Sequence, residues 1–214
     1  MTHVDKYKTP DYFQKYIDEQ IVRIGKFKNV LNGCGESEKT KICRILCNRY
    51  KDLISAQFSN NVELSKIASS FKEYAECMYV AGFSSYSEYI DFLSLQVILD
   101  VKDLSIDAPQ NFVDDLTQIL ISYINGSEYE LTGKLYEERY YSVFAKYYDG
   151  KLSFIDLMDY VNTKWYMSSL GFYWFDSHLK DHDVYTGYWC YVASAIIRIK
   201  GDYNKINDDD RYIV

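Results

Sequence analysis

Two histidines in the last quarter of the chain have the spacing of a metal-binding pair. His178 and His182 are four residues apart, so on a helix both imidazoles would face one side. Three nearby aspartates could supply a further ligand to a metal that activates water: Asp176, Asp181 and Asp183. Leu179, however, stands where a zinc protease carries its catalytic glutamate. A polar loop is therefore favoured, and a metal-dependent hydrolase that uses His178 and His182 is the alternative.

Other residue sets lack the spacing that catalysis requires. The adjacent acidic pairs Glu137-Glu138 and Asp114-Asp115 would point about 100° apart on a helix, so we predict that they are solvated. Cys190 has no base close to it in the sequence, and the chain has neither a Gly-x-Ser-x-Gly motif nor a glycine-rich phosphate loop. We predict no catalytic residues, no bound metal and no cofactor.

The charged residues are unevenly distributed along the chain. Residues 1–59 contain 11 basic and 7 acidic side chains, whereas residues 60–214 contain 13 basic and 24 acidic ones, a net charge of −11. The basic residues of the first segment alternate with apolar positions, as on a solvated helix face. The acidic remainder would repel nucleic acid and attract basic partners at rates that salt slows. We therefore expect no direct binding of nucleic acid.

The composition indicates a globular protein that does not enter a membrane. A hydrophobic content of 48% lets 214 residues bury a full core. No apolar run reaches the roughly 18 residues that cross a bilayer, and the N-terminal residues lack a secretory signal. We expect a cytoplasmic protein with one helical domain over 1–214, in which 1–126 and 133–214 are possible lobes.

Helical periodicity predicts an all-α fold of about seven to nine mostly antiparallel helices in one compact domain. Thr9-Pro10 has the residue types that begin a helix, and Gly33, Gly82 and Gly201 have the type that ends one. The segment 87–101 is apolar on nearly every side, which predicts a central helix, with a β-strand over 96–101 as the lesser alternative. The polar tail 207–212 is expected to be solvated. The other helices are expected at 10–32, 37–53, 62–81, 111–124, 133–148, 153–170 and 188–200.

Several segments, taken in order, resemble one known protein family. They are the central helix Tyr89-Ile-Asp-Phe-Leu-Ser-Leu-Gln-Val-Ile-Leu, Trp165-Tyr166, the loop from Asp176 to His182, Tyr185-x-Gly-Tyr-Trp, and the helix from Ala193 to Ile199. The chain resembles the PoNi family of bacterial immunity proteins over most of its length, best after residue 160. Cys190 stands where a serine is more usual, and Tyr212-Ile213-Val214 replaces a tyrosine-proline ending.

The resemblance implies a helical cytoplasmic protein that protects its cell from a nuclease toxin, commonly a PoNe DNase. The partner would be a cognate toxin whose basic cleft is covered by an acidic, tyrosine-rich surface. Four motif residues are expected to be structural: Trp165, Gly187, Tyr188 and Trp189. The toxin-binding candidates are Asp176, His178, Asp181, Asp183 and Tyr185 in the loop, with Glu137, Glu138 and Asp114 as a second acidic patch. A helical adaptor or scaffold protein is a further alternative.

Overall fold

The computed structural model describes residues 7–104, 109–136, 138–168, 170, 174–180, 184–207 and 212–214. Within these ranges the chain forms helices, turns and loops and no β-strand, which confirms the predicted all-α class. The chain divides into two compact units. The first unit comprises Met1–Gly82 and Phe172–Tyr188, and the second comprises Phe83–Gly171 and Trp189–Val214.

The first unit is built on three long helices, α1 (Pro10–Gly33), α2 (Glu36–Ser59) and α3 (Leu64–Ala81). Thr9 caps α1 by accepting a hydrogen bond from the backbone N–H of Tyr12, and Pro10 occupies the first helical position. Gly82, with φ of 69°, ends α3 in a conformation that favours glycine. Helix α2 packs against both α1 and α3. The predicted bounds of α1 and α3 are confirmed to within two residues, whereas α2 continues to Ser59, beyond the predicted end at residue 53.

The second unit contains shorter helices around a buried one. They are α4 (Tyr86–Ile98), α5 (Asp115–Ile124), α6 (Glu138–Tyr148), α7 (Phe154–Tyr160), α8 (Tyr166–Ser168) and α9 (Tyr191–Lys200), with a π-helical turn over Val161–Trp165. Nearly every side chain of α4 is buried, and α4 packs against α5 and α9. The prediction of a central helix is confirmed, and the alternative of a strand at 96–101 is wrong.

Three helices begin later than predicted. Helix α5 begins at Asp115, because Asp114 takes the extended backbone of an N-cap residue. Helix α6 begins at Glu138, since the backbone N–H groups of Thr132 and Gly133 bond to the Asp115 carboxylate. Helix α9 begins at Tyr191, after a stretch that is not helical from 184 onward.

The prediction of a solvated tail is wrong for Tyr212. Its side chain is buried in the second unit, where its ring lies nearly parallel to that of Tyr166 at a centroid distance of 5.6 Å. The backbone N–H of Cys190 donates a 2.7 Å hydrogen bond to the carbonyl of Tyr212. Val214 in turn donates its N–H to the hydroxyl of Ser194. The end of the chain therefore contributes to the core of the second unit.

Two features of the composition agree with these helices. In the described parts of the chain, each helix is too short or too polar to span a lipid bilayer. Four of the five cysteines are buried as free thiols, and Cys34 is partly exposed. Burial in apolar surroundings suits cysteine as a small hydrophobic side chain.

Candidate functional site

The predicted histidine loop belongs to the first unit, where an aromatic cluster holds His178. The imidazole Nδ1 of His178 lies 2.7 Å from the hydroxyl of Tyr188, and its backbone N–H donates to the same hydroxyl at 3.2 Å. The ring of Tyr7 packs on the imidazole at a centroid distance of 4.2 Å. These contacts fix the side chain of His178 in one orientation and leave it half-buried.

The other members of the loop lie in different environments. Asp176 is half-buried and adopts the left-handed conformation, with φ of 54°. Asp181, His182 and Asp183 lie outside the described residues. Among those that are described, no three histidine, cysteine, aspartate or glutamate side chains form a group that could hold a metal ion. The structure thus places only one of the two histidines of the hydrolase alternative.

Tyr185 is buried, with 1% of its surface exposed. The hydroxyl of Tyr12 donates to the carbonyl of Tyr185 and accepts a hydrogen bond from its backbone N–H, both at 3.1 Å. The hydroxyl of Ser59 donates to the carbonyl of the next residue, Thr186, at 2.9 Å. Helices α1 and α2 therefore fasten this segment to the first unit, and the Tyr185 side chain lies in the interior of that unit.

The motif residues occupy positions that suit structural roles. Gly187 has φ of 109°, a conformation that side-chain-bearing residues rarely adopt. Tyr188 is buried in the first unit, and Trp189 is buried in the second. Trp165 is half-buried at the end of the π-helical turn, with its ring 5.3 Å from that of Tyr212.

Asp114, a member of the second predicted acidic patch, lies beside Asp115 at the start of α5, and the prediction that these two aspartates are solvated is wrong. Asp114 is 3% exposed and Asp115 is 2% exposed. One carboxylate oxygen of Asp114 accepts the N–H of Thr117, which forms a capping box. The other oxygen accepts the hydroxyl of Tyr86 at 2.7 Å and the N–H of Tyr136 at 2.9 Å. Asp114 is therefore saturated by donors of the second unit.

The Asp115 carboxylate binds the loop that leads to α6. It accepts hydrogen bonds from the hydroxyl of Tyr129 at 3.0 Å, the N–H and hydroxyl of Thr132 at 2.9 and 2.6 Å, and the N–H of Gly133 at 2.6 Å. Burial alone would raise the pKa of Asp115, but these hydrogen bonds, those from Thr132 foremost, hold the pKa below its ordinary value. The carboxylate is charged at neutral pH and fixes the loop.

The residues around Tyr136, whose N–H bonds to Asp114, include two exposed tyrosines that the sequence did not single out and Glu138, which it did. Tyr136 is 48% exposed and Tyr140 is 42% exposed. The ring of Tyr136 stacks on that of Tyr86 at a centroid distance of 4.7 Å and an angle of 15°, and the ring of Phe112 lies nearly perpendicular to it at a centroid distance of 5.8 Å. Glu138, which lies between the two tyrosines in the sequence, is exposed. Glu137 lies outside the described residues. We call Tyr136, Glu138 and Tyr140 the tyrosine platform.

The two tyrosines of the platform were not predicted, because the chain holds 23 tyrosines and composition does not separate exposed rings from buried ones, whereas Glu138 was predicted as part of the second acidic patch. One signal was available. Tyr136 and Tyr140 are four residues apart, close to one helical turn, and an exposed glutamate lies between them.

The two units differ in charge. The sequence of the second unit contains 18 acidic and 10 basic side chains, a net charge of −8, whereas that of the first contains 13 acidic and 14 basic ones, a net charge of +1. The negative charge that the sequence places after residue 59 is therefore concentrated in the second unit. The tyrosine platform belongs to this acidic unit.

Comparison with protein families gives a match to the C-terminal part of the chain. Residues 112–213 match the family model described as PoNe immunity proteins (PoNi), C-terminal. The matched segment begins at Phe112, just before α5, and ends at Ile213, so it contains the Asp114-Asp115 pair and the tyrosine platform. No curated protein matches the chain, and no solved structure does.

Proposed function

We propose that this chain, whose residues 112–213 match the C-terminal family model of the PoNi immunity proteins, belongs to that family and neutralises a nuclease toxin by covering the active site of that toxin. As an immunity protein of this family it has a cognate toxin as its partner. Two points go beyond the family match and are proposed here: the toxin is a nuclease, and it is blocked by covering its active site.

The observation that carries the proposal is the net charge of −8 on the second unit, which contains most of the matched segment. A nuclease must attract a polyanion, so its cleft presents basic side chains to the phosphates. An acidic surface complements such a cleft, and electrostatic attraction speeds the encounter of two oppositely charged proteins. Exposed tyrosines add rings that bury large area at little entropic cost.

Protection of this kind requires no catalytic residue and no cofactor. One immunity protein occupies one toxin molecule, and tight binding takes the place of turnover. We place the protein in the cytoplasm, where an incoming nuclease would meet the DNA of the cell. The match to the immunity family favours neutralisation over the hydrolase and adaptor alternatives.

The proposal is tested by producing the toxin domain encoded next to this protein in cells with and without the protein. We expect survival only when both are made, and recovery of a one-to-one complex when the two are purified together. An unrelated nuclease toxin is the control, against which the protein should give no protection. Cell death despite equal production of both proteins would refute the proposed function.

A further inference from the structure

We propose that the tyrosine platform of the second unit is the surface that docks the toxin, and that Asp114 is the positioning residue that holds Tyr136 ready for it. This inference rests on the proposed function and names the site that performs it. The partner that fits this surface is a protein face rich in arginine and lysine.

The first step of the argument is that Tyr136 is both exposed and immobilised. Its ring rests flat on Tyr86 and meets the edge of Phe112, while its backbone N–H is bonded to Asp114. Nearly half of its surface is nevertheless exposed to solvent. An aromatic side chain whose position is fixed before binding loses little conformational entropy when a partner covers it. Tyr136 has the properties of an interface anchor.

The second step concerns the carboxylate of Asp114, which sets both rings of the stack. It accepts the hydroxyl of Tyr86, the supporting ring, and the N–H of Tyr136, the exposed ring. The adjacent Asp115 holds Thr132 and Gly133 a few residues before Tyr136. Two buried carboxylates therefore fix the backbone that leads into the platform, although neither reaches the surface itself.

The third step extends the surface along α6. The hydroxyl of Tyr160, from α7, donates to the carbonyl of Tyr140 at 3.4 Å, which ties the start of α6 to the neighbouring helix. Tyr140 presents a second exposed ring, and the side chain of Glu138, two residues earlier on α6, is also exposed. An arginine guanidinium can stack on a tyrosine and pair with a carboxylate at once, which a lysine does less well.

The net charge of the second unit indicates which kind of partner the platform binds. A unit with net charge −8 repels nucleic acid and anionic lipid surfaces, and a second copy of the same chain would bring like charges together. A basic protein face is the occupant that this charge favours. The platform also lies within the segment that matches the immunity family, whereas the exposed face of α3 in the first unit lies outside that segment.

The test measures the dissociation constant between the full-length protein and the purified toxin domain. We expect Tyr136→Ala to weaken binding about 30-fold, as loss of an interface anchor does, and Tyr140→Ala to weaken it less. Glu138→Lys should slow association about 10-fold at low salt, with little effect at high salt. The matched controls are Tyr79→Ala and Glu76→Lys on α3, where Tyr79 is 77% exposed; both should change binding less than twofold.

The outcomes separate this inference from the proposed function. If the unmodified protein binds the toxin and the folded platform variants bind equally well, the platform is not the docking surface, and the immunity function stands. Weaker binding by the α3 variants alone would place the surface elsewhere and overturn the inference. If the unmodified protein neither binds nor protects, the proposed function itself fails. Should Tyr136→Ala unfold, Glu138→Lys decides, because its side chain is exposed.

The positioning role of Asp114 has its own test. Asp114→Asn preserves the shape of the side chain but weakens its hold on Tyr86 and Tyr136. Its effect on affinity should largely disappear when Tyr136 is already alanine, because the two changes then remove the same contribution. A purely structural effect would add in full to that of Tyr136→Ala, and this additive result would overturn the positioning role.

Discussion

The rings of Tyr86 and Tyr136 lie 15° from parallel with their centroids 4.7 Å apart. Tyr86 is buried on α4, whereas Tyr136 is nearly half exposed just before α6. The core of the second unit thus supports an aromatic ring at its surface. Asp114 bonds to both residues, so the stack is held at its hydroxyl end and through its backbone.

The buried carboxylate of Asp115 should make the free energy of unfolding depend on pH in the acidic range. Its pKa is lowered in the folded protein, so the stabilisation that it provides is complete above the unfolded pKa, near 4, and is lost as the pH falls through the folded pKa. We expect Asp115→Asn to lower the free energy of unfolding by about 2 kcal/mol at pH 7. The difference should be unchanged at pH 5 and should shrink below pH 4, as measured by urea unfolding.

Asp159→Asn is the matched control, because the side chain of Asp159 is exposed on α7. It should change the free energy of unfolding by no more than about 0.5 kcal/mol at each pH. An Asp115→Asn effect that stayed constant down to pH 3 would contradict the role of the charged carboxylate.

Asp52 of α2 should show the opposite pH dependence. Burial raises the pKa of Asp52 to about 6, although Arg49, Lys51 and Arg23 favour its charged form. The folded protein therefore holds this proton more tightly than the unfolded chain does, and stability falls as the pH rises from 4 to 6. We expect Asp52→Asn to stabilise the protein at pH 7 by on the order of 2 kcal/mol relative to its effect at pH 4. Thermal unfolding across this range measures the difference, and equal effects at both pH values would refute it.

Tyr12 should control local opening of the segment around Tyr185. Its hydroxyl makes two 3.1 Å hydrogen bonds to the backbone of Tyr185, and Tyr12→Phe removes both while keeping the ring. We expect amide hydrogen exchange at residue 185 to accelerate by at least 10-fold, because each lost bond is worth about 1 kcal/mol. Tyr79→Phe, at an exposed hydroxyl on α3, should leave this exchange rate unchanged. Unaltered exchange in Tyr12→Phe would show that other contacts hold the segment.

The sequence predicted the helices that local signals define. Thr9-Pro10 and Gly82 mark the ends of α1 and α3 through short-range capping, and the apolar stretch around Phe92 indicates that α4 is covered on all sides. The start of α6 depends instead on a contact between the Asp115 carboxylate and the backbone of Gly133, which no periodicity reveals. Burial of Tyr212 likewise depends on the rings of Trp165 and Tyr166, which are far from it in the sequence.

Only part of the candidate site could be predicted from the sequence, because the rest also depends on contacts between distant parts of the chain. Exposure of Glu138 follows from its position near the start of a polar helix face, and the structure places it at the surface. Asp114 looked equally exposed in the sequence, but donors from Tyr86 and Tyr136 surround it. A carboxylate is buried when such donors converge on it, and their convergence is a property of the tertiary fold. The exposure of Tyr136 could not be predicted either, because it depends on how its ring packs on Tyr86 and Phe112.

The most direct measurement of the central claim is a titration of nucleic-acid cleavage by the purified cognate toxin domain, with DNA and RNA as separate substrates. Increasing amounts of this protein should reduce cleavage in proportion, with activity abolished at one equivalent, because in the proposed mechanism each protein molecule covers one active site. The Tyr136→Ala variant should require a large excess to reach the same inhibition. Full cleavage in the presence of a tenfold excess of the unmodified protein would contradict neutralisation by occlusion.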